Sequence, residues 1–193
     1  MRICIYGAAS PLIDEKYIKR VEELGRRLAE RGHSLVFGGG GNGLMGAAAR
    51  GVREKGGNIL GVVPKFFLEE GVEAICDFCD TLITPDTMRE RKRIMEDNAD
   101  AFIVVPGGIG TFEEYFEILT ASQLRLHSKP IGVFNVDGYY DDLTRFLDKT
   151  VEERFVNKNT LDLHKVSEDI DVLLDYIEAP HKEYASVKEL KDG

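Results

Sequence analysis

Five consecutive apolar residues, Ala101-Phe102-Ile103-Val104-Val105, run straight into Pro106-Gly107-Gly108-Ile109-Gly110-Thr111. A strand that is apolar at every position must be covered on both faces, which a sheet with one wet face does not offer. The run therefore implies a parallel strand in a sheet lined by helices on both sides. The three glycines allow a tight turn and a close approach to a ligand, and Thr111 is expected to open a helix whose free N–H groups attract anions. Glu114 then falls on the first helical turn, facing the same cleft. The competing reading is structural: Thr111-Phe112-Glu113-Glu114 has the spacing of a capping box, in which the two side chains bond each other's backbone N–H groups.

The rest of the chain repeats the alternation. Strands are expected at Arg2–Tyr6, Ser34–Phe37, Ile59–Val63, around Thr81–Thr84, at Ile131–Phe134 and, weakly, at Leu163–Val166. Between them lie helical patterns: Tyr17, Ile18, Val21, Leu24 and Leu28 up to Gly32, then Leu44–Glu54, a helix from Met88, one from Phe112, Tyr139 to about Glu153, and one opened by Ser167. Strand and helix in strict alternation define an α/β fold, a Rossmann-like doubly wound parallel sheet, in a single domain over 1–179. The polar stretch 180–193 is expected as a loose tail or a docked helix.

With 193 residues, 43% of them hydrophobic, and 20 glycines, the chain suits one globular α/β unit. No apolar run approaches a membrane span and the N-terminus enters a strand directly, so a soluble, cytoplasmic protein is expected, with no membrane partner. A formal net charge of -9 disfavours nucleic acid as a partner, because such binding depends on phosphate neutralisation by basic surface. One phosphorylated metabolite needs only a local positive site, and Arg89, Arg91, Lys92 and Arg93 supply it. The three cysteines Cys4, Cys76 and Cys79 are expected to be free and reduced; Cys76-Asp77-Phe78-Cys79 is a lone CxxC with no second pair. His33, His127, His164 and His181 have no metal-ligand spacing, so neither metal nor cofactor is expected.

Ligands of open parallel sheets bind outside the carboxyl ends of the strands, and three glycine loops leave at that edge, after Tyr6, after Phe37 and after Val105. In the helix opened by Thr87, itself part of a Thr87–Glu90 capping box, Met88, Arg91, Lys92 and Met95 share one face while Arg89 and Arg93 fall toward another. Charged groups beside an apolar wall suit a nucleotide; the alternative is a solvated basic rim. Gly41 to Gly46 also has the GxGxxG spacing of a dinucleotide site. It follows the second strand rather than the first, however, and the strand after it ends in Pro64-Lys65 with no acidic residue, which counts against NAD.

The pattern PGGxGTxxE from Pro106 to Glu114 resembles the signature of the LOG family, the cytokinin riboside 5′-monophosphate phosphoribohydrolases long labelled lysine decarboxylases. Ile5 to Ser10, Gly38-Gly39-Gly40 with Gly43 to Gly46, Met88 to Lys92, and Asn135-Val136-Asp137-Gly138-Tyr139-Tyr140 are similar to that family in the same order. The resemblance, spanning about residues 2 to 178, implies a Rossmann-like homodimer that cleaves the purine–ribose bond of a nucleoside 5′-monophosphate. It carries the catalytic roles onto Arg91 and Glu114. Substrate-holding roles go to Ser10, Gly39, Gly40, Met88, Lys92, Gly107, Gly108, Gly110, Thr111 and Thr120. A further acidic contact stays open among Glu69, Glu70 and Glu73. Ala121 and Arg125 depart from the plant pattern, so the wall around the base is expected to differ.

Such a site would use Glu114 to stabilise an oxocarbenium-like ribose and activate water, and Arg91 to orient it, with Glu113 and Glu117 as alternative carboxylates. Two rival classes are a non-catalytic nucleotide or cofactor carrier and a pyridoxal-phosphate decarboxylase. The latter requires a Schiff-base lysine that nothing around Lys65, Lys92 or Lys129 announces.

Overall fold

The computed structural model describes residues 1–72, 74–181 and 186–191. Its strands are β1 (Arg2–Tyr6), β2 (Ser34–Phe37), β3 (Ile59–Val62), β4 (Thr81–Ile83), β5 (Ala101–Val104), β6 (Ile131–Phe134) and β7 (His164–Ser167). The helices are α1 (Glu15–Glu30), α2 (Gly43–Glu54), α3 (Lys65–Glu70), α4 (Met88–Asp97), α5 (Ile109–Gln123), α6 (Asp141–Glu152), α7 (Lys158–Leu161), α8 (Ile170–Glu178) and α9 (Val187–Lys191). All seven strands join one parallel sheet in the order β4-β3-β2-β1-β5-β6-β7. The chain thus works outward from β1 to one edge, then crosses back to β5 and works outward to the other. The α/β doubly wound architecture expected from the sequence is the one observed.

Side chains alternate between two cores. Ile3, Ile5, Leu35, Phe37, Ala101 and Ile103 point to the layer of α1, α2 and α8, where Val21, Leu24, Val52 and Leu173 meet them. Cys4, Tyr6, Val36, Val62, Phe102 and Val104 point to the layer of α4 and α5, against Met95, Tyr115, Ile118 and Leu119. Burial on both faces is why the central strands read as unbroken apolar runs. The order reverses between β1 and β5, and there the chains pass so close that a β-carbon on Gly7 would lie 2.3 Å from Val105 Cγ2. A crevice at the carboxyl ends of these two strands follows from the topology.

Several boundaries differ from expectation for local reasons. The helix α5 starts at Ile109 with Gly108 as its cap, so Thr111 is its third residue rather than its opener. Asp169, whose carboxylate accepts from the N–H groups of Asp171 and Val172, opens α8, while Ser167 ends β7. A short 3-10 turn, Val136–Gly138, precedes α6. The helices α3 and α7 were not expected, whereas α9 is the docked helix that was one of the two readings of the polar stretch. Part of the 180–193 stretch, residues 182–185 and 192–193, lies outside the described residues; α9 docks through buried Leu190, whose carbonyl accepts from Thr160 Oγ1 at 2.9 Å.

Candidate active site

The α5 entry decides how Glu114 is used. Because Gly108 caps the helix and makes no side-chain bond to it, the capping box expected at Thr111 to Glu114 does not form. Glu114 instead sits nearly two turns in, on the face that packs on the sheet beside Thr111, Tyr115 and Ile118, all buried. Its side chain is 13% exposed, and Oε1 lies 3.7 Å from Arg91 Nη1. Burial raises its pKa from the ordinary 4.5 to about 7, the Arg91 charge only partly opposing the shift. A buried carboxyl held near neutrality beside a guanidinium makes Glu114 the candidate acid–base group.

Arg91 is held by the sheet itself. The Thr87–Glu90 capping box fixes the start of α4, and one turn on, Arg91 is 6% exposed. Its Nε donates to the Val62 carbonyl at 3.2 Å and its Nη2 to the Gly38 carbonyl at 3.4 Å, the carboxyl ends of β3 and β2. The Phe67 ring of α3 lies 5.9 Å from its Cζ. Gly38 is glycine because a β-carbon there would lie 1.9 Å from Nη2. The guanidinium fork is thus oriented before any ligand arrives, with one edge toward Glu114.

The loop from Val105 to Thr111 is pinned from behind. Tyr140 donates its hydroxyl to the Val105 carbonyl at 2.8 Å, Tyr139 donates to that of Gly107 at 2.7 Å, and the Ala8 N–H donates to that of Pro106 at 3.2 Å. This is the role of the Asn135 to Tyr140 stretch: Asn135 accepts from the Tyr140 N–H and donates to Asp141, fixing both tyrosines. With its carbonyls turned into the protein and no side chain capping it, α5 leaves its first N–H groups for an anion. A β-carbon on Gly107 would strike Thr111 Oγ1 at 2.1 Å, yet one on Gly108 or Gly110 would meet no atom within 4 Å. Neither of these two has a positive φ. The packing gives no reason for glycine at 108 and 110, and both positions leave the helix start open.

The Gly41 to Gly46 run is the opposite case. A β-carbon on Gly43 would lie 2.5 Å from the Ala8 carbonyl oxygen and one on Gly46 2.0 Å from that of Gly41, and the Leu44 N–H donates to the Ala8 carbonyl. These glycines let backbones pack, and the dinucleotide spacing is architectural here. Gly39 and Gly40, candidates for substrate contact, are buried: Gly39 has φ 78, its carbonyl accepts from Cys76, and Gly40 pairs with Ile75.

Other candidates fall variously. Met88, 38% exposed, begins α4. The Lys92 ammonium binds Glu113 at 2.5 Å and Glu117 at 2.7 Å, tying α4 to α5, so it reaches a ligand only by leaving them. Exposed Ser10 accepts from the Leu12 N–H. Thr120 lies nine residues beyond Thr111 on α5, about 13 Å along the axis, so it does not join the loop of its own chain. Arg125 takes φ 58 just past the end of α5, a left-handed position that suits glycine, and ends that helix. Glu69 and Glu70 are exposed on α3, and Glu73 lies outside the described residues. Phe67 was missed because a six-residue helix carries no readable period. A cavity of about 760 Å³ lies at the far end of the sheet among Ser122, His127, Pro130, Leu163 and Ala179, away from the Arg91–Glu114 pair.

Together these features define a class: a doubly wound α/β protein with a glycine-flanked helix start that no side chain caps and a buried carboxyl–guanidinium pair at the switch point. Residues 45–177 match the family model described as "Possible lysine decarboxylase". A probable cytokinin riboside 5′-monophosphate phosphoribohydrolase of Oryza sativa subsp. japonica is 45% identical over 156 residues, 81% of this chain and 63% of that protein. An Arabidopsis thaliana cytokinin riboside 5′-monophosphate phosphoribohydrolase is 43% identical over 156 residues, 81% of this chain and 72% of its own. The chain belongs to the LOG family. Solved structures share the fold: a molybdenum cofactor binding protein from Rippkaea orientalis (TM-score 0.69, 20% identity, 92% of this chain and 94% of that one) and the molybdenum cofactor carrier protein of Chlamydomonas reinhardtii (0.69, 23%, 92% and 95%).

The older family description finds no support in the lysines. A Schiff-base lysine needs a lowered pKa. Lys65 and Lys92 are instead raised by carboxylate partners, Lys65 chiefly by its bond to Asp86, and Lys92 by Glu113 and Glu117 against the effect of burial. Lys129 donates to the Glu96 carbonyl.

Proposed function

We propose that the protein hydrolyses the N-glycosidic bond of a purine nucleoside 5′-monophosphate, adenine or N6-substituted adenine, releasing free base and ribose 5-phosphate. The observation that carries this reading is the buried Glu114 carboxyl beside Arg91 on the same helix whose open N-terminus is flanked by Gly108 and Gly110. The names of the 45% and 43% identical relatives agree with it. The phosphate takes the α5 N–H groups, which sets the ribose over Glu114. As the glycosidic bond breaks, the carboxylate stabilises positive charge on the sugar and takes a proton from the attacking water. Arg91 orients the carboxylate and keeps part of the population ionised at neutral pH.

Incubation with a panel of nucleoside 5′-monophosphates, followed by chromatography, tests this: purine nucleotides should yield base and ribose 5-phosphate in equal amounts. A nucleotide that protects against thermal unfolding but releases no base would make the protein a carrier instead. Because the ionised carboxyl is the active form, kcat/KM should fall about tenfold per pH unit below about 7 and level off above it. A profile flat down to pH 5 would remove Glu114 from the chemistry. Gly108→Ala should fold with unchanged stability, since its methyl meets nothing, yet raise KM at least about tenfold by obstructing the phosphate. Unchanged KM would put the phosphate elsewhere.

A further inference from the structure

The proposed hydrolysis makes no use of Cys76 and Cys79. They occupy the two corners of a tight turn whose middle residues are Asp77 and Phe78. The corner Cα atoms of such a turn lie within about 7 Å, the span a disulfide requires. Cys76 is 4% exposed and Cys79 half-buried, and both are free thiols. The pair is already in contact: the Cys79 thiol donates to the Cys76 sulfur, and this, with the Phe78 N–H, holds the Cys76 thiol below its ordinary range against the effect of burial. Among the described residues no group of three or more His, Cys, Asp or Glu is placed to hold a metal, so the pair does not form part of such a cluster.

The position of this turn ties it to Arg91. The Cys76 N–H donates to the Gly39 carbonyl at 2.8 Å, and the Gly41 N–H donates to that of Ala74 at 2.6 Å. Gly39 adjoins Gly38, whose carbonyl accepts Arg91 Nη2. On the other side, a β-carbon at Gly61 would lie 3.0 Å from Cys79 Sγ. Gly61 adjoins Val62, whose carbonyl accepts Arg91 Nε. One cysteine therefore touches the neighbour of each backbone carbonyl that holds the guanidinium.

We propose that Cys76 and Cys79 are a redox-active dithiol whose closure to a disulfide shifts the frame that holds Arg91. The oxidant is a small-molecule disulfide. The Cys76 thiolate attacks one of its sulfurs, forming a mixed disulfide and expelling one thiolate. Cys79 then attacks the Cys76 sulfur, gives up its proton and expels the second thiolate. Two cysteines lose two electrons in total, and one disulfide becomes two thiols. Drawing the sulfurs from contact to bonding distance, about 2 Å, must move the Cys76 N–H or the Cys79 packing.

The test incubates the whole protein with oxidised glutathione, quenches in acid and counts thiols by denaturing alkylation and intact mass. Wild type should fall from three reactive thiols to one, Cys4, with a mass about 2 Da lower, while Cys79→Ser should stop at a glutathione adduct on Cys76. Three thiols remaining, or a wild-type adduct that never closes, overturns the dithiol. The coupling rests on the proposed hydrolysis: kcat/KM for AMP should drop about tenfold on oxidation and return with dithiothreitol. Unchanged kcat/KM in fully oxidised protein overturns the coupling. Absence of turnover in the reduced protein would sink the hydrolase reading, and AMP protection against unfolding, compared between the oxidised and reduced forms, would then decide the coupling.

Discussion

Glu114→Gln lowers kcat by about 10³-fold, leaves AMP protection against unfolding intact, and makes the protein relatively more stable at pH 8 than at pH 5. The rate loss follows from removing the buried carboxyl that faces Arg91, since an amide of the same shape neither accepts the proton of water nor neutralises a cationic ribose. The stability change follows from the raised pKa. A carboxyl that titrates at about 7 when folded and near 4.5 when unfolded favours the folded state fully below 4.5, and that contribution is lost as pH rises through 7. The displacement corresponds to about 3 kcal/mol above pH 7. The glutamine variant lacks this pH term, so its stability relative to wild type should climb by up to about that amount between pH 5 and pH 8 in denaturant titrations. A relative stability independent of pH would mean that Glu114 titrates as an ordinary surface acid, and a rate within threefold of wild type would end its catalytic role.

Arg91→Lys is the second large effect, because it retains the charge and removes the fork. The native guanidinium reaches Val62 O, Gly38 O and Glu114 at once while lying against Phe67. A lysine ammonium at that depth cannot span the same acceptors, so at least one buried carbonyl loses its donor at a cost of about 1–3 kcal/mol. Displacing the group that orients Glu114 should lower kcat/KM by about 10²-fold. Activity within a factor of three of wild type, measured beside an unfolding curve, would show that charge alone suffices.

The sequence was most legible where one physical requirement dominated. β1, β5 and β6 stood out because burial on both faces demands unbroken apolar runs, and the Thr87–Glu90 cap because its two reciprocal bonds need those residue types at that spacing. The start of α5 was misread because Thr-Phe-Glu-Glu satisfies a capping box locally, while the Gly107-Gly108 turn, pinned by Tyr139 and Tyr140 from across the sheet, begins the helix three residues sooner. Such tertiary bonds leave no trace in local spacing. The pairing of Arg91 with Glu114 came from family resemblance; periodicity put Arg91 on the right face of α4 but named no partner. The distinction between Gly108 and Gly46, one open and one packed on backbone, lies in the tertiary packing, since both belong to glycine-rich turns at a helix start. Ser167 lost the α8 cap to Asp169 because β7 runs through it.

The most direct measurement is a crystal structure of the Glu114→Gln protein with AMP. The phosphate should rest on the N–H groups at the start of α5, between Gly108 and Thr111, with the ribose C1′ beside residue 114 and the Arg91 fork in place. A nucleotide bound elsewhere on the sheet edge, with the α5 start empty, would contradict the account.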